Sequence, residues 1–498
     1  MTRRIVCLLA CLLLLPAFAL AQDSFVMAGF DGEDSTHNWE TNGFFTRMEA
    51  RTGVTFTYEQ YDSQEAWQAA KDAMFASGEL PDVLFKASLS TQELIRYTDS
   101  GQIIDLAPLL ETYAPNLWRL LEENPDWRAA ITLPNGKIGA LPAIQVPATQ
   151  NALWINQTWL DRLGLEPPTD MDSLRDVLTA LRDRDPNQNG RADEIPLTFL
   201  GPWELKFFSH AYGVVANDYN VYLDTDGQVR YWPDDDRFFE MAACLRDLYA
   251  DGLLDENGFY TADNLRRITD DEATLTYGAF FAPTPVNLVT YEMSKQYVVV
   301  EPFVYEGGQI YRDFISPVTR GTFAITSACD SPETLLSWVD VLYTEEGAIE
   351  AMVGYEGQDY VFDAQGYWNW KGGLENMSTA VLSDLSLYDT GDMPWLFPYG
   401  FYSQYAEENV RRINTELDKL TAFVVRPFPE YTLTAQQSDD VRQLQNVLGT
   451  YVDESLARFV MGQEDLTPEG IEAFRQGLRD LGMEEMIAFW QGIADGLE

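Results

Sequence analysis

The sequence predicts an α/β protein of two lobes, each built on a sheet with parallel strands, followed by a helical C-terminal region. Three observations support this prediction. Strand-like and helix-like segments alternate from Phe25 onward, and a proline-bounded extended stretch interrupts the alternation at residues 141–147. Amphipathic helix patterns then close the chain after residue 439. A chain of 498 residues is also long enough for two large lobes with full hydrophobic cores.

The first 21 residues have the pattern of a signal peptide. Two arginines at positions 3–4 precede an apolar run to residue 15, and Ala19-Leu20-Ala21 forms a small-residue cleavage site. One alternative is a membrane span, for which the apolar stretch is at the short limit. Another is a lipid anchor at Cys11, which too few apolar residues precede. We therefore expect cleavage before Gln22 and export of the remaining chain.

The chain is strongly acidic and rich in aromatic side chains. It contains 79 acidic and 33 basic residues, a formal net charge of −46. This charge argues against binding to nucleic acid or to anionic lipid, because both require clustered cations. The 13 Trp, 25 Tyr and 27 Phe residues are too many for a disordered acidic chain. With only two histidines, His37 and His210, a His-rich zinc site is not expected.

The region after the signal peptide has the pattern of the first lobe. Its segments alternate between strand and helix, an order that favours a parallel sheet with helices on both faces. Ligands of such sheets bind beyond the carboxyl ends of the strands. The predicted elements are a strand at 25–27, a helix at 43–51, a strand at 54–58, a helix at 64–76 and a short buried strand at 82–85.

The stretch 141–147 marks a crossing to the second lobe, because its prolines cannot continue a helix. A second crossing is expected at 315–326. The second lobe begins with a strand at 152–155, and a capping box from Thr169 to Asp172 opens one of its helices. The expected division is a signal peptide at 1–21, lobe 1 at 22–145, lobe 2 at 146–316, lobe 1 again at 317–355, and mainly lobe 2 with the helical C-terminal region at 356–498.

Residues 185–194 have the ligand spacing of a calcium loop. Oxygen-bearing side chains occupy positions 1, 3 and 5 of this segment, and Gly190 at position 6 permits the sharp turn that wraps a hard cation. Pro196 stands where the closing glutamate is usual, so two adjacent carboxylates earlier in the loop would replace it. The alternative is an Asx-rich turn without metal. The predicted ligands of a structural Ca²⁺ are Asp185, Asn187, Asn189, the backbone carbonyl of Arg191, Asp193 and Glu194.

Several short motifs, in a fixed order, resemble those of one protein family. The sequence is similar to the extracellular solute-binding proteins (family 1) of carbohydrate ABC transporters, most closely to their long LplA-like or alginate-oligosaccharide-binding-like members. The C-terminal region, about 130 residues, matches less clearly. The matching segments are 78–85, 101–106, 135–142, 153–165, the 185 loop, 248–255, 331–333, 345–347 and 354–357.

This resemblance implies a two-lobed periplasmic-binding-protein fold (type II) with a crossing-strand hinge and a ligand held in the cleft. It also implies a structural Ca²⁺ at the six positions named above, which favours the calcium loop over the empty turn. The partners it implies are an oligosaccharide and the transmembrane subunits of an ABC permease, with the protein a monomer and not an enzyme. Because the lipid-anchor motif is weak, a periplasm is favoured over a lipid-anchored form at the cell surface.

Sugar binding requires flat aromatic side chains for stacking and a few fixed polar groups for orientation. Candidate residues lie in loops and at strand ends rather than at helical core spacing. Trp39 and Trp395 are the favoured stacking residues, although any single aromatic side chain is more often part of a core. The predicted substrate-binding residues are Asn38, Trp39, Asp82, Trp203, Phe281, Trp368, Trp395 and Tyr399.

The sequence thus predicts the substrate-binding component of an ABC importer. The strong negative charge favours a neutral oligosaccharide over a polyanionic one. Two alternatives remain open at this point. A secreted glycosidase requires a pair of carboxylates about 5 to 10 Å apart, which an acidic chain can always supply. A sugar-sensing partner of a receptor requires the same cleft and no catalysis.

Overall fold

The computed structural model describes residues 24–32, 35–146, 151–260, 276–312, 317–372, 384–387, 392–425, 427–428 and 435–495, with no side-chain description for residue 126 and residues 435–440. The predicted signal peptide lies outside these ranges. Every helix within them is too short or too polar to cross a membrane.

The described residues form fifteen strands, which alternate with helices as the sequence predicts. The strands are β1 Ser24–Phe30, β2 Thr55–Tyr61, β3 Val83–Phe85, β4 Leu141–Ile144, β5 Ala152–Asn156, β6 Ile195–Thr198, β7 Val221–Leu223, β8 Val229–Tyr231, β9 Tyr277–Ala282, β10 Tyr297–Val299, β11 Tyr311–Arg312, β12 Val318–Ile325, β13 Tyr360–Phe362, β14 Trp368–Trp370 and β15 Val424–Val425.

Eighteen α-helices occur in the same ranges, together with short 3₁₀ turns. The helices are α1 Gly43–Thr52, α2 Gln64–Ser77, α3 Thr91–Asp99, α4 Ala107–Tyr113, α5 Pro115–Glu123, α6 Pro125–Ile131, α7 Gln157–Leu163, α8 Met171–Asp183, α9 Pro202–Leu205, α10 Asp236–Ala250, α11 Tyr291–Ser294, α12 Pro332–Asp340, α13 Glu345–Val353, α14 Tyr399–Tyr402, α15 Glu408–Asp418, α16 Ala435–Val460, α17 Pro468–Asp480 and α18 Met483–Asp495.

Lobe 1 is built on a five-stranded sheet in the order β2-β1-β3-β12-β4. The parallel pairing predicted for the first three strands is confirmed, since β1 pairs in parallel with both β2 and β3. Strand β12, which returns from lobe 2, runs antiparallel to β3 and β4. The reversal follows from its direction of entry, because β12 starts at the edge where the other strands end.

Lobe 2 is built on a four-stranded sheet in the order β10-β5-β9-β6. Strands β6 and β9 are parallel, whereas β5 is antiparallel to β9. Strand β5 is the first to arrive from lobe 1, so it too starts where its neighbours end. In each lobe, the carboxyl ends of the parallel strands therefore border the segments that cross between lobes, which is where ligands of open α/β sheets bind.

The hydrophobic cores show that the C-terminal part of the chain divides between the lobes. Trp368, Phe401 and Tyr405 are buried in the same cluster as Trp338 of lobe 1. We expected residues 356–498 to belong mainly to lobe 2, but the aromatic side chains of the β13–β14 hairpin pack into lobe 1. A third crossing thus follows Tyr405. Helices α15–α18 then pack against the core of lobe 2.

Backbone hydrogen bonds hold the crossing segments together on the lobe 1 side. The amide of Gln145 donates to the carbonyl of Pro317 over 2.7 Å, and Ile144 exchanges backbone hydrogen bonds of 2.8 Å with Trp395 and Phe397. The end of β4, the start of β12 and the segment 395–397 therefore lie together in one small region where the chain leaves lobe 1 and returns to it. A hinge of this form permits the two lobes to move about a common axis.

Candidate functional site

A cavity of about 320 Å³ opens in lobe 2 at the carboxyl ends of β6 and β9. Its wall includes Asn151, the first described residue after the first crossing, and Arg312, the last described residue before the second. The cavity therefore opens on lobe 2 beside the segments that cross between the lobes. Residues lining it include Asn151, Trp203, Lys206, Phe207, His210, Asp218, Asn220, Phe281, Glu301, Arg312, Gln445 and Asp453.

Three aromatic side chains form the apolar face of this cavity. Trp203 is 40% exposed and packs edge-to-face against Phe207, with ring centroids 5.6 Å apart. Phe207 packs in the same way against Phe281 at 5.5 Å. A Cβ at Gly201 would lie 2.9 Å from the Trp203 ring, so the glycine lets the indole fold over the backbone. An exposed indole fixed from behind is the surface on which an apolar sugar face stacks.

Glu204 links the turn that carries Trp203 to the described start of lobe 2. Its carboxylate is fully buried and accepts from the Asn151 side-chain amide at 3.0 Å and from the Leu200 amide at 2.7 Å. Burial raises the pKa of Glu204 to about 7, against the two hydrogen bonds that favour its charged form. Glu204, which follows Trp203, is thereby hydrogen-bonded to Asn151, the first described residue after the crossing from lobe 1.

Two cations face the cavity, and each is paired with a carboxylate. The Lys206 ammonium lies 2.8 Å from Asp453 and donates to the side-chain carbonyl of Asn220 at 3.2 Å. The Arg312 guanidinium donates to the carboxylate of Asp218. The cavity is also lined by the amide side chains of Asn151, Asn217, Asn220 and Gln445. A side-chain amide can both donate to and accept from hydroxyl groups.

His210 forms part of the cavity wall as a neutral imidazole. Its Nδ1 lies 2.7 Å from the carbonyl of Phe207, which assigns the ring proton to that nitrogen. Burial lowers the pKa of His210 to about 4, because the apolar surroundings penalise the charged ring. The imidazole therefore adds no charge to the cavity at neutral pH.

The facing edge of lobe 1 carries a buried polar network after β1 and β3. The Asp31 carboxylate lies 2.7 Å from both the Lys86 ammonium and the His37 Nδ1. Burial alone would raise the pKa of Asp31, but the hydrogen bond from His37 and the charge of Lys86 hold it well below its usual value. The Gln60 amide also donates to Asp31, at 3.2 Å. This network fixes the loop that follows β1 at the cleft.

Backbone strain occurs at the same edge. Lys86, Ser88 and Asp392 have positive φ angles of 51°, 47° and 61°, which are uncommon for residues with a Cβ. The Ser88 hydroxyl donates to the Asp392 carboxylate, so the strained segments support each other. Strained backbone of this kind is concentrated at ligand sites.

The structure brings together only two of the eight predicted sugar-binding residues, Trp203 and Phe281. Trp39, a favoured stacking residue, is instead fully buried against Phe85, with ring centroids 5.5 Å apart. Trp368 is stacked between Phe401 and Tyr405 in the lobe 1 core. Neither ring has a free face, so neither can stack on a sugar in this conformation.

The remaining predicted residues lie outside the cavity. Asp82 precedes β3, at the sheet edge opposite the cleft, and accepts from the Val26 amide at 2.7 Å. Trp395 is 7% exposed and hydrogen-bonds through its carbonyl to the hinge. Asn38 is exposed in the loop after β1, where it accepts from the Glu40 amide. The Tyr399 hydroxyl donates to Asp418 at 3.1 Å.

Five charged residues of the cavity have no counterpart in the sequence prediction: Lys206, Asp218, Glu301, Arg312 and Asp453. Four of them form the two ion pairs. Each ion pair joins elements that are distant in the chain, so no spacing rule reveals it. The sequence offered one usable signal, because Arg312 lies just before the second crossing expected at 315–326. Lys206 is three residues beyond the predicted Trp203, in the same turn.

The predicted calcium loop lies between α8 and β6, on lobe 2. Its first carboxylate, Asp185, accepts from the amides of Asn189 at 3.1 Å and Gly190 at 3.0 Å. The Asn189 side-chain amide donates to Asp193 at 3.0 Å. These contacts gather the side chains of the loop around one point.

Glu194 is the unsatisfied member of this loop. Both of its carboxylate oxygens are buried without a hydrogen-bond partner among the described residues. Burial, followed by the nearby charges of Asp185 and Asp193, raises the pKa of Glu194. Within the described ranges, no three His, Cys, Asp or Glu side chains form a metal site by themselves. A cation here would need the two asparagine oxygens as well, a donor set that suits Ca²⁺.

Comparison with known proteins shows which family shares these features. Residues 39–349 match the family model of the bacterial extracellular solute-binding protein. Over 326 residues the chain is 30% identical to the fructooligosaccharide ABC transporter substrate-binding protein FusA of Streptococcus pneumoniae serotype 4. That match spans 63% of this chain and 60% of the FusA sequence.

Known structures share the fold at lower identity. An EF-hand mutant of S. pneumoniae FusA in complex with fructo-nystose superposes with a TM-score of 0.70 and 23% identity, over 95% of this chain and 99% of FusA. An HMO-binding, ABC-transporter-associated solute-binding protein from Bifidobacterium longum infantis has a TM-score of 0.77 and 20% identity, with coverage of 95% and 99%. The alginate-binding protein AlgQ2, crystallised without calcium ion, has a TM-score of 0.66 and 20% identity, with coverage of 95% and 98%.

Proposed function

Because the chain belongs to the bacterial extracellular solute-binding protein family, we propose that it captures an oligosaccharide between its lobes and delivers it to the permease of an ABC importer. The observation that carries this proposal is the cavity at the carboxyl ends of β6 and β9. There an exposed indole, supported from behind, stands beside amide side chains and next to two crossing segments. The substrate of FusA, an oligosaccharide by its name, agrees with this chemistry.

Lobe closure would complete the site. The cavity supplies a stacking surface on lobe 2, and the fixed loop after β1 supplies polar groups on lobe 1. A ligand that contacts both edges favours the closed arrangement, because closure buries it on two sides. The permease would recognise the closed form. We expect no turnover, since the site needs only to hold the ligand and release it intact.

We further propose that the protein acts as a monomer in a periplasm. The signal-peptide pattern supports export, and the weak lipobox favours a soluble form over an anchored one. The ligand would be neutral, since the chain carries a net charge of −46 and both cations of the cavity are already paired.

A structural Ca²⁺ is proposed at the 185–194 loop. The buried carboxylate of Glu194, without a hydrogen-bond partner among the described residues, supports it, because an unpaired buried charge is costly. When bound, the cation would offset the charges of the three carboxylates of the loop. The FusA structure described as an EF-hand mutant indicates that a relative has a comparable loop. The residues that would hold the ion are Asp185, Asn187, Asn189, Arg191 through its carbonyl, Asp193 and Glu194.

The proposed function can be tested with a panel of oligosaccharides that includes kestose, nystose, a neutral milk tetrasaccharide and an oligogalacturonate. The melting temperature of the purified protein should rise with at least one member, because a ligand that binds only the folded state stabilises it. Chromatography of the mixture should recover that ligand intact. Recovery of hydrolysed ligand would contradict this proposal and indicate a glycosidase. A melting temperature unchanged by every member would contradict oligosaccharide capture.

A further inference from the structure

The two ion pairs of the lobe 2 cavity have a consequence for ligand choice that rests on the proposed function. The Arg312 guanidinium and the Lys206 ammonium are the cationic groups among the residues lining the cavity. Cations at such a site normally attract carboxylates, and arginine binds them in a bidentate manner. Here each cation already has a carboxylate partner.

We propose that Asp218 and Asp453 are specificity-determining residues, which exclude uronate-containing oligosaccharides by occupying the two cations that would otherwise bind a sugar carboxylate. The resulting cavity accepts saccharides that offer only hydroxyl groups. Asp218 and Asp453 thus act against the wrong ligand rather than for the right one, which is a common basis of specificity.

The position of Asp218 is fixed by its surroundings rather than by its charge alone. The carbonyl of Asp218 accepts from the Gln445 side-chain amide at 2.6 Å. The preceding Asn217 accepts from the amides of Tyr219 at 2.9 Å and Val221 at 3.2 Å, which closes a tight turn. The turn holds the carboxylate in front of Arg312, although 78% of the Asp218 side chain is exposed.

Arg312 is held equally firmly on the opposite side. It pairs with Val425 through the short parallel ladder of β11 and β15, and only 15% of its side chain is exposed. A buried guanidinium has little freedom to leave its carboxylate for another one. A sugar carboxylate would therefore have to displace Asp218 from a preformed pair, at the cost of leaving Asp218 beside another negative charge.

The second ion pair occupies the other cation of the cavity in the same way. Asp453 of α16 reaches Lys206, which also donates to the side chain of Asn220. Glu301 adds a third carboxylate at the exposed rim. Because His210 is neutral at pH 7, the cavity has three carboxylates against two cations. Its field therefore repels an anionic ligand.

The double variant Asp218→Asn/Asp453→Asn tests this inference. Its affinity for oligogalacturonate, measured by calorimetry at low salt, should rise by about tenfold or more, because two cations lose their partners. The gain should shrink as salt is added. Affinity for the neutral panel member that binds best should not rise with it, because that ligand offers no carboxylate to the freed cations, so the ratio of the two affinities should shift toward the uronate. Asp224→Asn, which breaks an Asp–Arg pair outside the cavity wall, is the matched control and should leave both affinities unchanged.

The outcomes separate this inference from the proposed function. A wild-type protein that binds oligogalacturonate as tightly as a neutral ligand overturns the inference and leaves oligosaccharide capture intact. So does a folded double variant that keeps its neutral ligand and gains no affinity for the uronate. If neither protein binds any member of the panel, oligosaccharide capture fails, and the inference fails with it. The melting temperature of the ligand-free variant establishes that it is folded.

Discussion

The hydroxyl of Tyr311 donates a hydrogen bond of 2.8 Å to the carbonyl of Asn151. Tyr311 lies just before the chain returns to lobe 1, and Asn151 lies just after it first arrives from there. At the rim of the cavity, this contact joins the chain just after the first crossing to the chain just before the second. The side chain of Asn151 is at the same time bound to Glu204, next to Trp203. The turn that carries the stacking surface and the lobe 2 ends of two crossing segments are therefore parts of one hydrogen-bonded unit.

Replacing Tyr311 with Phe should remove this tie while keeping the buried ring. The carbonyl of Asn151 would lose its donor, so we expect the free energy of unfolding to fall by about 1 kcal/mol. Urea denaturation measures the change. Tyr260→Phe, at a tyrosine that is 66% exposed, is the matched control and should have no measurable effect. Equal stability of both variants would show that the tie contributes nothing.

Trp203→Ala should weaken oligosaccharide affinity without unfolding the protein. Loss of a stacking ring costs about 1 kcal/mol or more, which corresponds to roughly a fivefold or larger increase in Kd. Because the indole is 40% exposed, the melting temperature of the free protein should change little. Calorimetric titration gives the affinity. An unchanged Kd would place the sugar away from this ring.

Trp39→Ala should have the opposite profile. The ring is fully buried among Phe45, Tyr58 and Phe85, so its removal leaves a cavity in the lobe 1 core. We expect a loss of about 3 kcal/mol or more in the free energy of unfolding. Trp39→Phe should recover part of that stability. A stable Trp39→Ala protein with weakened sugar binding would restore Trp39 as a ligand-binding residue.

These two tryptophans show how far the sequence could predict the site. Each follows the carboxyl end of a strand, Trp39 in the loop after β1 and Trp203 in the single-turn helix α9 after β6, and neither stands in a long amphipathic pattern. What separates them is packing from other elements, since Phe45 of α1 and Phe85 of β3 enclose Trp39. Among the described residues, none encloses the outer face of Trp203 in the same way. Information of this kind depends on tertiary contacts and is absent from the spacing of residues.

The architecture was easier to predict from the sequence than the site was. Alternation of strands and helices follows from local hydrophobic periodicity, so the α/β class and the parallel pairing of β1 with β3 were predictable. The position of one helix capping box was predictable to within a residue. The capping box expected from Thr169 to Asp172 forms between Asp170 and Ser173, because the Asp170 carboxylate accepts from the Ser173 amide at 2.7 Å.

Removal of Ca²⁺ should lower the melting temperature. Saturating Ca²⁺ stabilises the folded state by about 3 kcal/mol at a hundredfold excess over its Kd. Glu194→Gln should reduce the response to added Ca²⁺ and should make the calcium-free protein no less stable, because it removes a buried charge. Asp224→Asn, in an acidic turn elsewhere on lobe 2, is the control. If neither a chelator nor added Ca²⁺ changes the melting temperature of the wild-type protein, the result would argue against the metal.

Glu204 should contribute a measurable pH dependence of stability. Its pKa is near 7 in the folded protein and 4.5 without burial, so the folded state holds the proton more tightly. Stability from this group is therefore complete below about pH 4.5 and is lost as the pH rises through 7, by about 3 kcal/mol at most.

Urea denaturation of Glu204→Gln at a series of pH values isolates this contribution. Other groups titrate in the same range, so the quantity that matters is the difference between wild type and variant. The wild-type protein should lose stability relative to the variant between pH 5 and 7. Glu79→Gln, at an exposed turn, should follow the wild type. Parallel curves for wild type and Glu204→Gln would contradict the raised pKa.

The central claim is that an oligosaccharide binds between the lobes against Trp203. A crystal structure with the tightest-binding member of the panel tests it most directly. We expect an intact sugar in the lobe 2 cavity, with one ring against the exposed face of Trp203 and the loop after β1 closed over it. A sugar bound elsewhere, or one cleaved in the cleft, would contradict it.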